Sequence, residues 1–551
     1  MIKMAFVLNT NYQLTLNDRF NNLTEREKKV LENSWAKPFA EHIFPAINEE
    51  RFAVLYSSNP ASRPNTPINV IIGASIIKEI QNLSDDEILE GLMFDTRIQY
   101  ALHTTSAEEQ PMSDRTLSRF RFKVYEYEKE TGIDLMKEEI LNLSREIAKL
   151  MNLKPNMKRM DSLMIASACK DMMRLEVVYV TVANLVNAVH HTGGDELLVG
   201  LEDYLKDDNK NRVIYHNKSE ERAAKIQSIL DDCAILIKRL GDAGDELPEY
   251  ILAKRMLNDQ GNEDEFGKIV AKSNHDIAPN SLQNPSDPDA TYRKKADEHH
   301  TGYVANVVET FDETGASVIT YYSFEQNRHS DSEFAKEAII HIGKTESNTE
   351  EPIVLIGDGA FASKINSELG EENNVKLITT ALSGPTPPDV FAYFEVDEES
   401  KQVVRCPAGY EPIRQGRNQA TETHRIVMEK SHCVNCPNRE QCNAKMQAKS
   451  AVVMVSENKV NRARVNNNSS VNSEEYAKYR NARNAIEGIP SVLRRKYDVD
   501  DMPVFGIMKS KLFFGLKIAA INVKKLASYI KKQYDNIFHD IVCPQVECAQ
   551  M

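Results

Sequence analysis

The chain has 551 residues, 41% of them apolar and 27% charged, with a formal net charge of −14. That length is too great for one compact core, and the apolar content is enough for roughly two to four structural units. No apolar run reaches the about 20 residues of a membrane span, and Asn9, Asn11 and Gln13 interrupt what would have to be a signal core, so a cytosolic protein without a membrane partner is expected.

Residues 63–121 read as helical. Pro67 opens a segment in which Val70, Ile71, Ala74, Ile77 and Ile80 recur at helical spacing, and Asn82-Leu83 closes it. Ser84 and Glu87 make a capping box for the next helix. Ser113 is placed to cap a third, with Leu117, Phe120, Val124 and Tyr127 on one face and Arg115 and Arg119 on another. Arg121 and Lys123 complete this basic group. Helices with an apolar back and an arginine front suit a DNA groove, and equally a plain bundle with exposed arginines.

Residues 157–161 read as a short strand ending in Asp161, and 164–258 as a mostly helical, acid-rich insertion broken at Gly193-Gly194. Residues 274–289 are loop-like. Strand signals at 302–311 and 316–324 flank the turn Asp312-Glu313-Thr314-Gly315 and predict a hairpin. A helix near 333–342 is followed by 352–356, an apolar run that suits a strand buried on both faces, with Asp358 just past its end. Residues 375–380 repeat that pattern. Strand, hairpin, helix, strand with Asp at its end, and strand is the order of a ribonuclease-H-like core.

Between 383 and 472 the composition shifts to Pro, Cys, Asn and Arg, which marks a second insertion. Its Cys433-Val434-Asn435-Cys436-Pro437 and Cys442, with Cys406 as a fourth ligand, have the make-up of a tetrahedral structural zinc site. His424 or His432 could replace Cys406, and unpaired loop thiols are the alternative. Cys169, Cys233, Cys543 and Cys548 show no such clustering. Ser473-Glu474-Glu475 is read as the cap of a helix that brings Arg480, Arg483 and Glu487 onto one face. Arg494, Arg495, Lys496, Lys509, Lys511 and Lys517 extend this second basic group into a basic, amphipathic segment over 504–530.

Asp161, Asp358 and Glu487 are the candidate catalytic acids. Breaking or joining a phosphodiester needs an activated oxygen, relief of charge on the phosphate and a stabilised leaving oxygen, and two divalent cations held by carboxylates supply all three. Taken singly, Asp161 and Asp358-Gly359 are also what turns use, and Glu487 also suits a helical ion pair with Arg483. Their joint occurrence in a matching strand order favours the catalytic reading.

On these residues the chain resembles the DDE transposases of bacterial insertion sequences. Arg63-Pro64, Leu83-Ser84-Asp85-Asp86-Glu87, Arg97 with Tyr100, and Thr116-Leu117-Ser118-Arg119-Phe120-Arg121 resemble the family's helical N-terminal domain. Asp161, then Gly302-Tyr303 with Asn306, Asn327 and Asp331, then Asp358-Gly359-Ala360-Phe361, and finally Arg483 to Glu487 and Arg494 follow its catalytic core. Arg494 stands where Lys is frequent, Tyr479 is one residue out of register, and Pro490 places Glu487 near a helix break.

The resemblance implies an α/β chain. Residues 1–150 would be an N-terminal all-helical DNA-binding domain, and 151–382 with 473–535 a ribonuclease-H-like DDE core with a helical insertion at 165–275. Residues 383–472 would be the cysteine-containing insertion and 536–551 a tail. It further implies Mg2+ or Mn2+, two ions at Asp161, Asp358 and Glu487, beside the zinc expected at Cys406, Cys433, Cys436 and Cys442. DNA contacts are expected at Arg115, Arg119, Arg121, Arg480, Arg483, Arg494, Arg495, Lys496 and Lys509. The expected activity is binding of terminal inverted repeats, cleavage of donor DNA and transfer of 3′ ends to target DNA, in a homodimeric synaptic complex associated with the cytoplasmic nucleoid. A nuclease on the same fold and a catalytically inactive DNA-binding regulator are the alternatives.

Overall fold

A computed structural model describes all residues except 1–4, 11–18, 60, 106–109, 111, 216–217, 296–297, 347–350, 380–386, 398–399, 401, 419–422, 457–458, 461, 465–478, 480 and 543–551. The expected cap at Ser473-Glu474-Glu475, Arg480, Cys543 and Cys548 therefore lie outside the described residues.

The N-terminal part is helical. Helix α1 (Ile68–Gln81) is buried from Ile68 to Ile80, so it is enclosed on every side rather than on one face. Pro67 offers it no side-chain cap; Glu49 does so from a distance, its Oε2 accepting the Ile68 N–H at 3.0 Å. Asn82, in the left-handed region at φ 57°, ends it. Helix α2 (Asp85–Phe94) opens on the expected Ser84–Glu87 capping box. Ser113 does not cap α3 (Thr116–Thr131): Arg115 holds that position, and the Ser113 N–H donates to Thr116 Oγ1 at 2.9 Å. Leu117, Phe120 and Val124 are buried as their spacing predicts. Helix α4 (Leu135–Leu150) follows.

Strand β1 (Met157–Ala166) is the centre of a six-stranded mixed sheet. Strands β2 (Thr291–Lys295) and β3 (Glu298–Phe311) form one antiparallel hairpin, and β3 with β4 (Ser317–Gln326) forms another. Helix α5 (Asp331–Thr345) leads to β5 (Ile353–Gly357), and β6 (Val375–Thr379) follows. Both β1 and β4 pair with residues 303–310 of β3, so they occupy opposite edges of it. β5 runs parallel to β1, and β6 parallel to β5. The main run is thus β4-β3-β1-β5-β6.

β1 does not stop at Asp161 as expected. Its parallel ladder with β5 ends at Arg159↔Ile356, but the antiparallel ladder with β3 continues to Ala166↔Gly302 and carries the strand on. Gly302 is required there: at φ +152° its missing Cβ would lie 2.3 Å from the Ile165 carbonyl oxygen.

The first helix of the inserted segment therefore starts at Arg174, not near residue 164. Its helices have their own apolar core, including Val178, Leu185, Leu230 and Met256. A third core, with Phe394, Ile426 and Val453, is built on a four-stranded sheet that includes β7 (Arg414–Asn418), β8 (Thr423–Glu429) and β9 (Ser450–Ser456). Helices α6 (Gly488–Tyr497) and α7 (Ile507–Val542) close the chain. The largest core is continuous from α1 (Ile76) and α4 (Ile140) through the sheet (Val307) to α7 (Phe514). Among the described residues, no helix is long and apolar enough to cross a membrane.

Candidate active site

Register brings two of the acids together. Asp161 lies two residues beyond Arg159 and Asp358 two beyond Ile356, the last paired positions of β1 and β5. On parallel neighbours that offset puts the carboxylates side by side, where the ladder between the strands opens. Asp358 starts a single 3-10 turn, Gly359–Phe361, and its Oδ1 accepts the Ala360 N–H at 2.7 Å. The Asp161 Oδ1 accepts the N–H of Ser162 at 3.1 Å.

Glu487 comes from outside the sheet. It ends a 3-10 turn, Ala485–Glu487, and immediately precedes α6. Residues 481–484 are already helical, so the Ala485–Glu487 turn interrupts two helical stretches, and Pro490 follows it closely: Glu487 sits at a helix break, as Pro490 leads one to expect. Arg483 pairs with Glu487 and places Nη2 3.9 Å from Asp161 Oδ1. One guanidinium thus stands between the strand acid and the helical one.

The electrostatics report this crowding. Burial pushes the Asp161 carboxyl up to about 6; Arg483 pulls it back, while the charges of Asp358 and Glu487 push it up again. Carboxylates gathered in a half-buried place with one arginine among them are a donor set suited in kind to a hard divalent cation. Among the described residues, however, no group of three or more His, Cys, Asp or Glu side chains is closed enough to hold a metal ion in the present geometry.

The expected DNA contacts divide into two sets. Arg115 and Arg119 on α3, and Arg495, Lys496 and Lys509, are exposed. Arg121 is turned inward, pairing with Asp85 and lying 5.5 Å from the Phe513 ring. Arg483 is occupied by the acids. Arg494 donates from Nη2 to the Met164 carbonyl oxygen at 2.8 Å and meets Asp500 at 3.2 Å. Two residues that spacing did not single out also serve this region: Arg159, buried on β1, and Glu309, which Arg159 and Lys525 hold below the usual carboxylate range despite its burial. Their signal was the charged pair Lys158-Arg159 inside a strand that had to be central.

The four expected cysteines, Cys406, Cys433, Cys436 and Cys442, line one cavity of about 20 Å³, with His432 beside them. That is room for about one water or ion. Burial, with the neighbouring cysteines, pushes Cys442 up to about 12 and raises Cys433. His424 is instead buried within β8.

Residues 24–123 match the family described as "Transposase domain (DUF772)", and residues 405–527 match "Transposase DDE domain". Both ends of the chain are transposase-like. The first match takes in Arg115, Arg119 and Arg121, and the second the four clustered cysteines, Glu487 and Arg494. Together they indicate a transposase role, with the DNA binding that such a role implies. No curated protein and no solved structure matches the chain.

Proposed function

We propose that the chain is a DNA transposase that binds terminal inverted repeats, cleaves donor DNA and transfers the freed 3′ ends into target DNA, acting as a homodimer in the synaptic complex. The observation that carries this reading is the side-by-side placement of Asp161 and Asp358 on parallel strands, with Glu487 near enough to perturb Asp161. The strand run β4-β3-β1-β5-β6, antiparallel in its first half and parallel in its second, supports a ribonuclease-H-like core. On this reading 1–150 carry DNA recognition, and 383–472 form an insertion ordered by zinc at Cys406, Cys433, Cys436 and Cys442.

Asp161, Asp358 and Glu487 would hold magnesium or manganese, which when bound activates the attacking oxygen and stabilises the leaving one. The chain's own part is to keep the acids ionised and aligned. Arg483 favours ionisation of Asp161, and the ladders of β1 with β3 and β5 fix its height relative to Asp358. Arg115 and Arg119, at helical spacing with the exposed Phe122, supply cations and an aromatic for the duplex.

The test is cleavage of DNA bearing the element's ends in the presence of magnesium. Asp161→Ala and Asp358→Ala should abolish cutting while DNA binding persists; full cleavage by either variant overturns the reading. Joined donor–plasmid products separate a transposase from a nuclease on the same fold, and tight binding without any cut points to an inactive regulator.

A further inference from the structure

We infer that Arg159 and Arg494 are a positioning pair that lays the Glu487 segment along the strand carrying Asp161; the inference rests on the reading of the acids given above. Arg159 stands two residues before Asp161, on the same face of β1, and is 9% exposed. Its guanidinium is held on several sides. Nε and Nη2 reach Glu309 Oε2 at 2.7 and 2.5 Å, and the Phe311 ring centre lies 4.6 Å away. Glu309 is itself fixed by Lys525, which also donates to Ser317 Oγ at 2.8 Å. The remaining Nη1 donates to the Ala482 carbonyl oxygen at 3.0 Å, one residue before Arg483.

Arg494 makes the matching contact after the turn. Its Nη2 meets the Met164 carbonyl oxygen at 2.8 Å, three residues past Asp161, and its Nε meets Asp500 Oδ2 at 3.2 Å. Asp500 Oδ1 in turn accepts the Ala166 N–H at 3.0 Å. The two arginines therefore tie β1 to the Glu487 segment on either side of Asp161, through Ala482 ahead of Glu487 in the chain and through Arg494 behind it.

The Glu487 side chain is 59% exposed and pairs with Arg483, a partner on the same short segment. Its place relative to Asp161 is set by the backbone that Arg159 and Arg494 hold. Fold stability does not account for Arg159, because apolar side chains of similar volume commonly serve as well as a buried ion pair. A guanidinium at this point has a use that an apolar side chain lacks, which is to reach a carbonyl on a separate segment.

The test is manganese binding to the full chain by titration calorimetry. Wild-type protein should take up manganese, Asp161→Asn should abolish uptake, and Glu487→Gln should weaken it about tenfold or more, through loss of one charged oxygen ligand. Arg159→Lys can reach Glu309 but not Glu309 and Ala482 together, and should also weaken binding about tenfold. Arg494→Gln, at a position whose side chain is 46% exposed, should do the same with an unchanged thermal midpoint. In a Glu487→Gln background neither arginine change should add a further loss, because both act through Glu487. Wild-type affinity in both arginine variants beside a weakened Glu487→Gln, or losses that add in the double variants, overturns the positioning role alone. A wild type that takes up no manganese, or uptake indifferent to Asp161→Asn or Glu487→Gln, overturns the reading of the acids.

Discussion

Asp161 and Asp358 are placed by main chain, Glu487 by side chains. The strand acids follow from ladder register, which many main-chain pairings fix together. Glu487 follows from contacts of Arg159, Arg483 and Arg494. The first arrangement rests on paired main chain. The second rests on a few side-chain contacts to a separate segment.

The largest effect tests that contrast directly. Asp161→Asn or Asp358→Asn should lower the cleavage rate by about a thousandfold or more, since each removes a charge from a fixed pair. Glu487→Asp should lower it only about tenfold, because a tethered segment can advance to recover a shortened side chain. Equal losses in single-turnover cleavage would erase the distinction. Next in size is Gly302→Ala, whose added methyl meets the backbone of β1 at Ile165. It should destabilise the fold by about 3 kcal/mol, read by denaturant unfolding, and lower activity through Asp161 and Asp358. A variant as stable as wild type would mean that the β1–β3 register is not what holds the strand acids.

The cysteine insertion extends the contrast to a unit with a core of its own. Cys436→Ser, or chelation, should lower a separate unfolding transition of that unit while leaving the main one in place, followed by calorimetry; a single shifted transition would show the unit to be part of the sheet's cooperative block.

The smallest effect concerns the helix behind the sheet. His341 on α5 stacks on Tyr321 at 4.4 Å. Burial, reinforced by Lys137, Lys158, Arg145 and Lys344, pushes its pKa down from 6.5 to about 4. The unfolded chain therefore binds this proton first, and stability present above pH 6.5 is lost as pH falls toward 4, by about 2 kcal/mol after allowing for partial exposure. His341→Phe keeps the stack and should flatten that part of the curve of thermal midpoint against pH; an unchanged slope would remove His341 as the cause.

Much of this was legible in the sequence because it is local. The capping box at Ser84 and Glu87, the hairpin turn at Asp312 to Gly315 and the buried run before Asp358 each depend on neighbours a few residues away. What escaped depends on distant partners. The extension of β1 past Asp161 is decided by β3, more than a hundred residues later. Arg121 looked free until Asp85 and Phe513 were beside it, and Arg159 has no pattern that names Ala482. The sheet of the cysteine insertion was recoverable, since Ile426-Val427-Met428 and Ala451 to Val455 are short apolar runs bounded by polar residues.

The unbroken apolar core from α1 to α7 has a consequence for how DNA would be measured. Asp85 joins Arg121 to Lys78, and Glu79 joins Lys517 to the same patch, so the N-terminal helices are bolted to the helix that backs the sheet. For a duplex end bound on Arg115 and Arg119, the protein is then a fixed gauge: the distance to the cut belongs to the polypeptide and not to the DNA. Two base pairs inserted between the recognised stretch and the scissile bond turn that bond by about 70° around the duplex, out of reach of acids that cannot follow it.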